Sequence, residues 1–83
     1  MKILKLYSAS WCQPCRIMKQ QLEQANIPFE YIDIGNHQEE LKELEAKGIK
    51  IMTVPTMIIF ENNMPIWVKS GLTPICEILD NLT

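Results

Sequence analysis

Ser8-Ala9-Ser10-Trp11-Cys12-Gln13-Pro14-Cys15-Arg16 places two cysteines three positions apart, directly after the apolar run Ile3-Leu4-Lys5-Leu6-Tyr7. Such a pair is a metal clip, a structural staple or a reactive dithiol, and the surrounding residues decide among these. Downstream, Ile17, Met18, Gln21, Leu22 and Ala25 recur at helical spacing, with Pro14 in the first turn, where its missing N–H costs nothing. The pair therefore lies where a strand ends and a helix begins. Cys12 falls at or just before the first helical turn, where unpartnered backbone N–H groups and the helix dipole favour an anion. Thiols in such motifs have pKa values lowered to roughly 3.5–7.5. Cys15 lies on the same side of the helix, about 5–6 Å away between Cβ atoms, whereas a disulfide needs about 3.5–4.5 Å. A small adjustment of the first turn closes the ring with little else moving, which suits a cycling pair.

The other two readings find less support. A structural zinc site uses four ligands, usually as two paired knuckles, and after this CxxC only Cys76 and His37 remain, unpaired and on different expected helices. A purely structural disulfide here closes almost no loop and constrains the unfolded chain weakly. Three cysteines is an odd count, which also argues against a disulfide framework. No metal and no cofactor are expected.

Working outward, 83 residues are expected to make one domain, 1–83, near the size where a single core becomes only marginally stabilising. The composition, 47% hydrophobic and 22% charged, is ordinary for a soluble globular protein. A net charge of -2 offers no basic face for nucleic acid and no polybasic membrane patch. No apolar run approaches a bilayer-spanning length, and the lysines alternating with apolar residues from Met1 to Tyr7 make a poor signal peptide. The expected compartment is a reducing cytoplasm, where a close cysteine pair is more often catalytic or metal-binding than structural.

The remaining elements follow from periodicity and turn chemistry. Asn26 and Pro28 end the first helix, and Phe29 to Ile34 alternates like a second strand. Asn36 with Glu39 three residues later resembles a capping box for a helix with a sparse stripe at Leu41 and Leu44, stopped by Gly48. Thr56 to Phe60 reads as a buried central strand, Glu61 to Pro65 as a hairpin turn, and Ile66 to Lys69 as an edge strand. Gly71 breaks the chain. Thr73 is expected to cap a last helix with Pro74 at its first position and Ile75, Ile78, Leu79 and Leu82 along one face. The order is β-α-β-α-β-β-α, and the right-handed crossover rule leaves few ways to close it other than an α/β sheet with helices on both sides.

Trp11-Cys12-Gln13-Pro14-Cys15, followed by Thr53-Val54-Pro55-Thr56 and then Gly71, resembles the thioredoxin superfamily over nearly the whole chain, in its small, glutaredoxin-sized members. The resemblance implies a thioredoxin-like fold, with a four-stranded mixed sheet flanked by three helices. It implies a cis Pro55 packed beside the cysteines and a Val54 backbone that pairs with an extended substrate segment. Substrate contacts are expected from Trp11, Gln13, Pro14, Thr53, Val54, Pro55 and Gly71, with Met52 nearby. Thioredoxins usually carry a buried aspartate six residues before the first cysteine; here that residue is Leu6, so water, Cys12 or another group must manage the Cys15 proton. The segment Gly48 to Met52 makes a longer approach to Pro55 than is usual.

The activity implied is thiol-disulfide exchange on protein disulfides, with Cys12 as nucleophile and Cys15 as resolving thiol. A thioredoxin reductase or glutathione would reset the pair. Gln13-Pro14 and the segment Ser70 to Thr73 lean to thioredoxin, and no basic cluster for glutathione's carboxylates is evident. The alternatives are a glutathione-dependent glutaredoxin and, from another class, a redox-inactive or metal-carrying binding module on the same fold. A monomer is expected. Trp11, beside an exposed cysteine, is assigned a surface role; Cys76 is read as a helix-packing residue, His37 as solvated, Trp67 as packing and the methionines as core filler.

Overall fold

Successive side chains of a strand point to opposite faces, and the first strand uses both. The computed structural model describes residues 1–83, beginning with β1, Lys2–Ser8. Leu4 and Leu6 face one side of the sheet and Tyr7 the other, all three buried. The chain continues through α1 (Gln13–Gln24), β2 (Glu30–Asp33), α2 (Gln38–Ala46), β3 (Thr56–Glu61), β4 (Met64–Ser70) and α3 (Ile75–Leu82). The sheet order is β2-β1-β3-β4, with β1 parallel to β2 and antiparallel to β3, and β3 antiparallel to β4. This is the expected four-stranded mixed sheet.

Two apolar layers sandwich it. On one face Leu4, Leu6, Met57 and Ile59 meet Met18 and Leu22 of α1 and Ile78 of α3, with Trp67 packed against them. On the other, Tyr7, Ile32, Ile58 and Phe60 meet Leu44 of α2. β3 serves both layers and is buried from Thr56 to Phe60, as expected of a central strand. Burial of each such large side chain stabilises by roughly 1.5–3 kcal/mol.

The β3–β4 turn is Asn62-Asn63, both at positive φ (53° and 68°), the backbone that the tightest right-twisted hairpins require. Pro65 sits on the outer strand opposite Phe60, beside a register shift, where its missing N–H breaks no ladder bond.

Five expectations are corrected. α2 is capped by His37, not Asn36, and without a side-chain bond; the Asp33 carboxylate instead accepts from Gly35 N–H at 2.8 Å, which draws the preceding residues into a turn. Pro74, not Thr73, is the cap residue of α3, because the Thr73 hydroxyl donates back to the Gly71 carbonyl at 3.2 Å. Cys76 is exposed and free, and Leu79 is also largely exposed, so the packed face of α3 is Ile75, Ile78 and Leu82. Of the methionines only Met18 and Met57 fill the core; Met1, Met52 and Met64 are exposed.

Candidate active site

β1 ends at Ser8, and the Cys12 N–H donates to the Ala9 carbonyl at 3.1 Å, a turn that delivers Cys12 to the N-cap of α1. There its sulfur accepts a hydrogen bond from the Cys15 N–H at 3.2 Å. Cys12 thus satisfies a donor that the first turn would otherwise leave free, the role usually taken by a side-chain oxygen. Cys12 and Cys15 are joined as a disulfide with Cα atoms 5.3 Å apart, a usual separation for such a bond.

The pair is not at the surface. Cys12 is 3% exposed and Cys15 0%, so the expectation of an exposed Cys12 is corrected. Ala9 completes the cluster, and Ile34 and Val54 pack against it. Only the ranking of the two cysteines survives, by a narrow margin.

The surrounding loops are fastened by backbone and side-chain hydrogen bonds. Ile34 N–H donates to the Ser8 carbonyl at 2.9 Å, tying the end of β2 to the start of the cysteine loop. The Arg16 guanidinium reaches back to the Ser10 carbonyl at 3.0 Å. Across the site the Val54–Pro55 peptide is cis, as expected, and Pro55 is fully buried. The Thr56 hydroxyl donates to the Thr53 carbonyl at 2.7 Å and lies 3.1 Å from the Ser70 hydroxyl. Gly71 N–H donates to the Pro55 carbonyl at 2.8 Å.

Beside the disulfide runs an apolar cleft of about 110 Å³ lined by Trp11, Ile34, Ile51, Met52, Thr53 and Val54. Trp11 is 77% exposed and Met52 78%, high values for side chains of this size. Of the expected contact residues, Trp11, Thr53 and Val54 share this cleft, while Pro55 and Gly71 do not line it and are bonded to each other. Gln13 and Pro14 are exposed on the first turn of α1 and do not line it. Sequence reasoning missed Ile34 and Ile51. Ile34 continues the apolar alternation of β2 by one residue, a signal that was present; Ile51 lies in an irregular segment where periodicity has no purchase.

No group of three or more His, Cys, Asp or Glu side chains converges anywhere in the fold. His37 is exposed, its ring nitrogen 3.0 Å from the Asp33 carbonyl oxygen. Leu6 is fully buried in the layer beneath α1, so that layer holds no carboxylate near the pair.

A glutaredoxin family model matches residues 4–62, from β1 through the CxxC and the cis proline to the β3–β4 turn. The chain belongs to the glutaredoxin family. This glutaredoxin-family chain is also 29% identical over 76 residues to a thioredoxin of Staphylococcus aureus, covering 87% of its own length and 73% of the relative's. Its fold is similar to that of a thioredoxin variant from Halobacterium salinarum, with a TM-score of 0.79 and 20% identity over 96% of this chain and 70% of that one. It is also similar to Deadhead, a germline-specific thioredoxin of Drosophila melanogaster, with a TM-score of 0.78 and 18% identity over 99% and 81%. Family and fold together make this a thioredoxin-superfamily protein, a thiol-disulfide oxidoreductase whose redox pair is Cys12–Cys15. Proteins of this kind act on disulfide substrates and are recharged by reductases.

Proposed function

We propose that the chain, working as one domain, reduces disulfides of protein substrates, with Cys12 as nucleophile and Cys15 as resolving thiol. The observation that carries this reading is Cys12 Sγ at the N-cap of α1, receiving the Cys15 N–H, in a cluster packed against Ile34 and Val54 of the apolar cleft. In the reduced protein the same position favours a thiolate, through the N–H donor and the positive end of the helix dipole.

Cys12 thiolate attacks one sulfur of the substrate disulfide; the S–S bond breaks, one substrate thiolate leaves, and a mixed disulfide forms. Cys15 then loses its proton and attacks Cys12 Sγ, expelling the second substrate thiolate. Two electrons have passed to the substrate, and the Cys12–Cys15 disulfide remains. A dithiol reductant of the thioredoxin reductase type restores the pair.

Trp11, Met52 and Val54 supply the apolar surface on which an extended substrate segment docks, and the Val54 backbone offers it a strand-like edge. A monomer acting in a reducing cytoplasm fits the cysteine usage, and no helix is long and apolar enough to cross a membrane.

The matched family model favours a second reading, turnover of glutathione mixed disulfides. Two assays separate them. Protein-disulfide reduction, followed by insulin turbidity with dithiothreitol or a thioredoxin reductase, is expected to be efficient. Turnover of a small mixed disulfide with glutathione, glutathione reductase and NADPH is expected to be much slower. The opposite ranking transfers the assignment to glutathione chemistry.

A further inference from the structure

The sheet face opposite α1 holds a polar cluster that the redox chemistry does not use. Tyr7 is fully buried there, and its hydroxyl makes no hydrogen bond to any protein group; neither does the buried Oε2 of Glu40 on α2. Both residues line the same small cavity, about 30 Å³, together with Lys5, Glu43, Leu44, Lys47 and Phe60. The other carboxylate oxygen of Glu40 is already engaged by Lys5 Nζ at 3.3 Å, and the Lys5 ammonium also lies 5.0 Å from the centre of the Phe60 ring.

Two orphaned polar atoms on one cavity are costly, because a buried donor or acceptor without a partner forfeits about 1–3 kcal/mol. Size and charge narrow what satisfies them. The volume suits one water, which needs at least about 10–15 Å³ and two to four polar partners. A cation would meet the Lys5 and Lys47 ammonium groups, an anion the Glu40 and Glu43 carboxylates, and any organic group is too large.

We propose that this cavity binds a single water molecule, which accepts a hydrogen bond from the Tyr7 hydroxyl and donates one to Glu40 Oε2. Burial, with Glu40 and then Glu30 adding repulsion, pushes the Tyr7 phenol well above its ordinary range, so it stays a donor at neutral pH. The bridge joins α2 to β1 on a helix whose only buried side chain is Leu44.

Two measurements test this together. In the wild-type protein, a high-resolution crystal structure or water–protein NOEs are expected to show one long-lived water within hydrogen-bonding distance of both atoms. A dry cavity, or a direct Tyr7–Glu40 hydrogen bond, overturns the proposal. The isosteric Tyr7→Phe change then reads the sign. Removal of a water-bridged hydroxyl is expected to lower the folding equilibrium constant about five- to tenfold. Removal of an orphaned hydroxyl raises it, and that rise would overturn the proposal as well.

Discussion

The Gly71 N–H lies 2.8 Å from the Pro55 carbonyl oxygen and clasps the segment after β4 to the proline loop beside the cysteines. Gly71 makes this bond at φ 86°, a backbone setting that residues with a Cβ adopt only at a cost. A Cβ built there would touch nothing within 4 Å. Any penalty is therefore conformational and not a clash.

Gly71→Ala is expected to destabilise the protein by about 1–2 kcal/mol, and Gly71→Asn by less, since asparagine tolerates positive φ better. Chemical denaturation of the two variants checks the order. An alanine variant as stable as wild type would show that the clasp can form from another backbone setting.

Cys12 caps the helix and Cys15 lies beneath it, so the roles should separate in single variants. Cys15→Ser is expected to accumulate a mixed disulfide with substrate, and Cys12→Ser to form none; mass spectrometry of non-reduced mixtures reads both. Leu6 leaves no carboxylate in the layer beneath the pair. Resolution of the wild-type mixed disulfide should therefore quicken as pH rises, until Cys15 is largely thiolate. A rate independent of pH across the neutral range would mean that another group takes the proton.

Trp11 projects into solvent, so its removal should touch binding and not folding. Trp11→Ala is expected to change stability by no more than about 0.5 kcal/mol. The same change should raise KM for a protein disulfide about five- to thirtyfold, the scale of an aromatic anchor worth about 1–2 kcal/mol. Reduction of a small disulfide that cannot fill the cleft should be little affected. Equal losses on both substrates would place Trp11 in the chemistry instead.

Tyr7 gives a pH dependence of definite sign. Its folded-state pKa is raised above the unfolded value of about 10, chiefly by burial and then by Glu40 and Glu30. Above that pH the unfolded chain binds fewer protons than the folded one, so stability is intact at neutrality and falls as pH climbs past about 10. An ultraviolet titration should show a phenolate component that rises only as the protein unfolds, and Tyr7→Phe should remove it. Ionisation of that component in the still-folded protein would contradict the assignment.

Most of this fold was legible because strong periodicity and turn chemistry agreed. The alternation around Leu4, Leu6 and Tyr7, the Met18–Leu22 spacing and the block from Thr56 to Phe60 each point to one structure. What failed was local competition for hydrogen bonds. Asp33 made the side-chain bond before α2 that was expected from Asn36 as its cap, and the Thr73 hydroxyl turned back to Gly71 instead of forward to α3. Cys76 was misread because helical spacing does not say how far an apolar face extends around a helix. At the site, the cysteines, Trp11 and the cis proline were visible as a motif. The near-complete burial of Cys12 was not, since Ile34 and Val54 reach it from distant parts of the chain.

α1 and α3 share one face of the sheet, while α2 alone covers the other and buries only Leu44. Elements held by few buried side chains open at lower free energy than the whole molecule. Cys15 belongs to α1 and Cys12 caps it, a helix anchored by Met18 and Leu22, whereas Ile51 of the cleft wall packs against the layer that α2 covers. Partial melting would therefore loosen the Ile51 wall of the docking cleft while the dithiol stayed seated. Warmed toward its transition, the molecule would act as a less selective reductant before it ceased to be one.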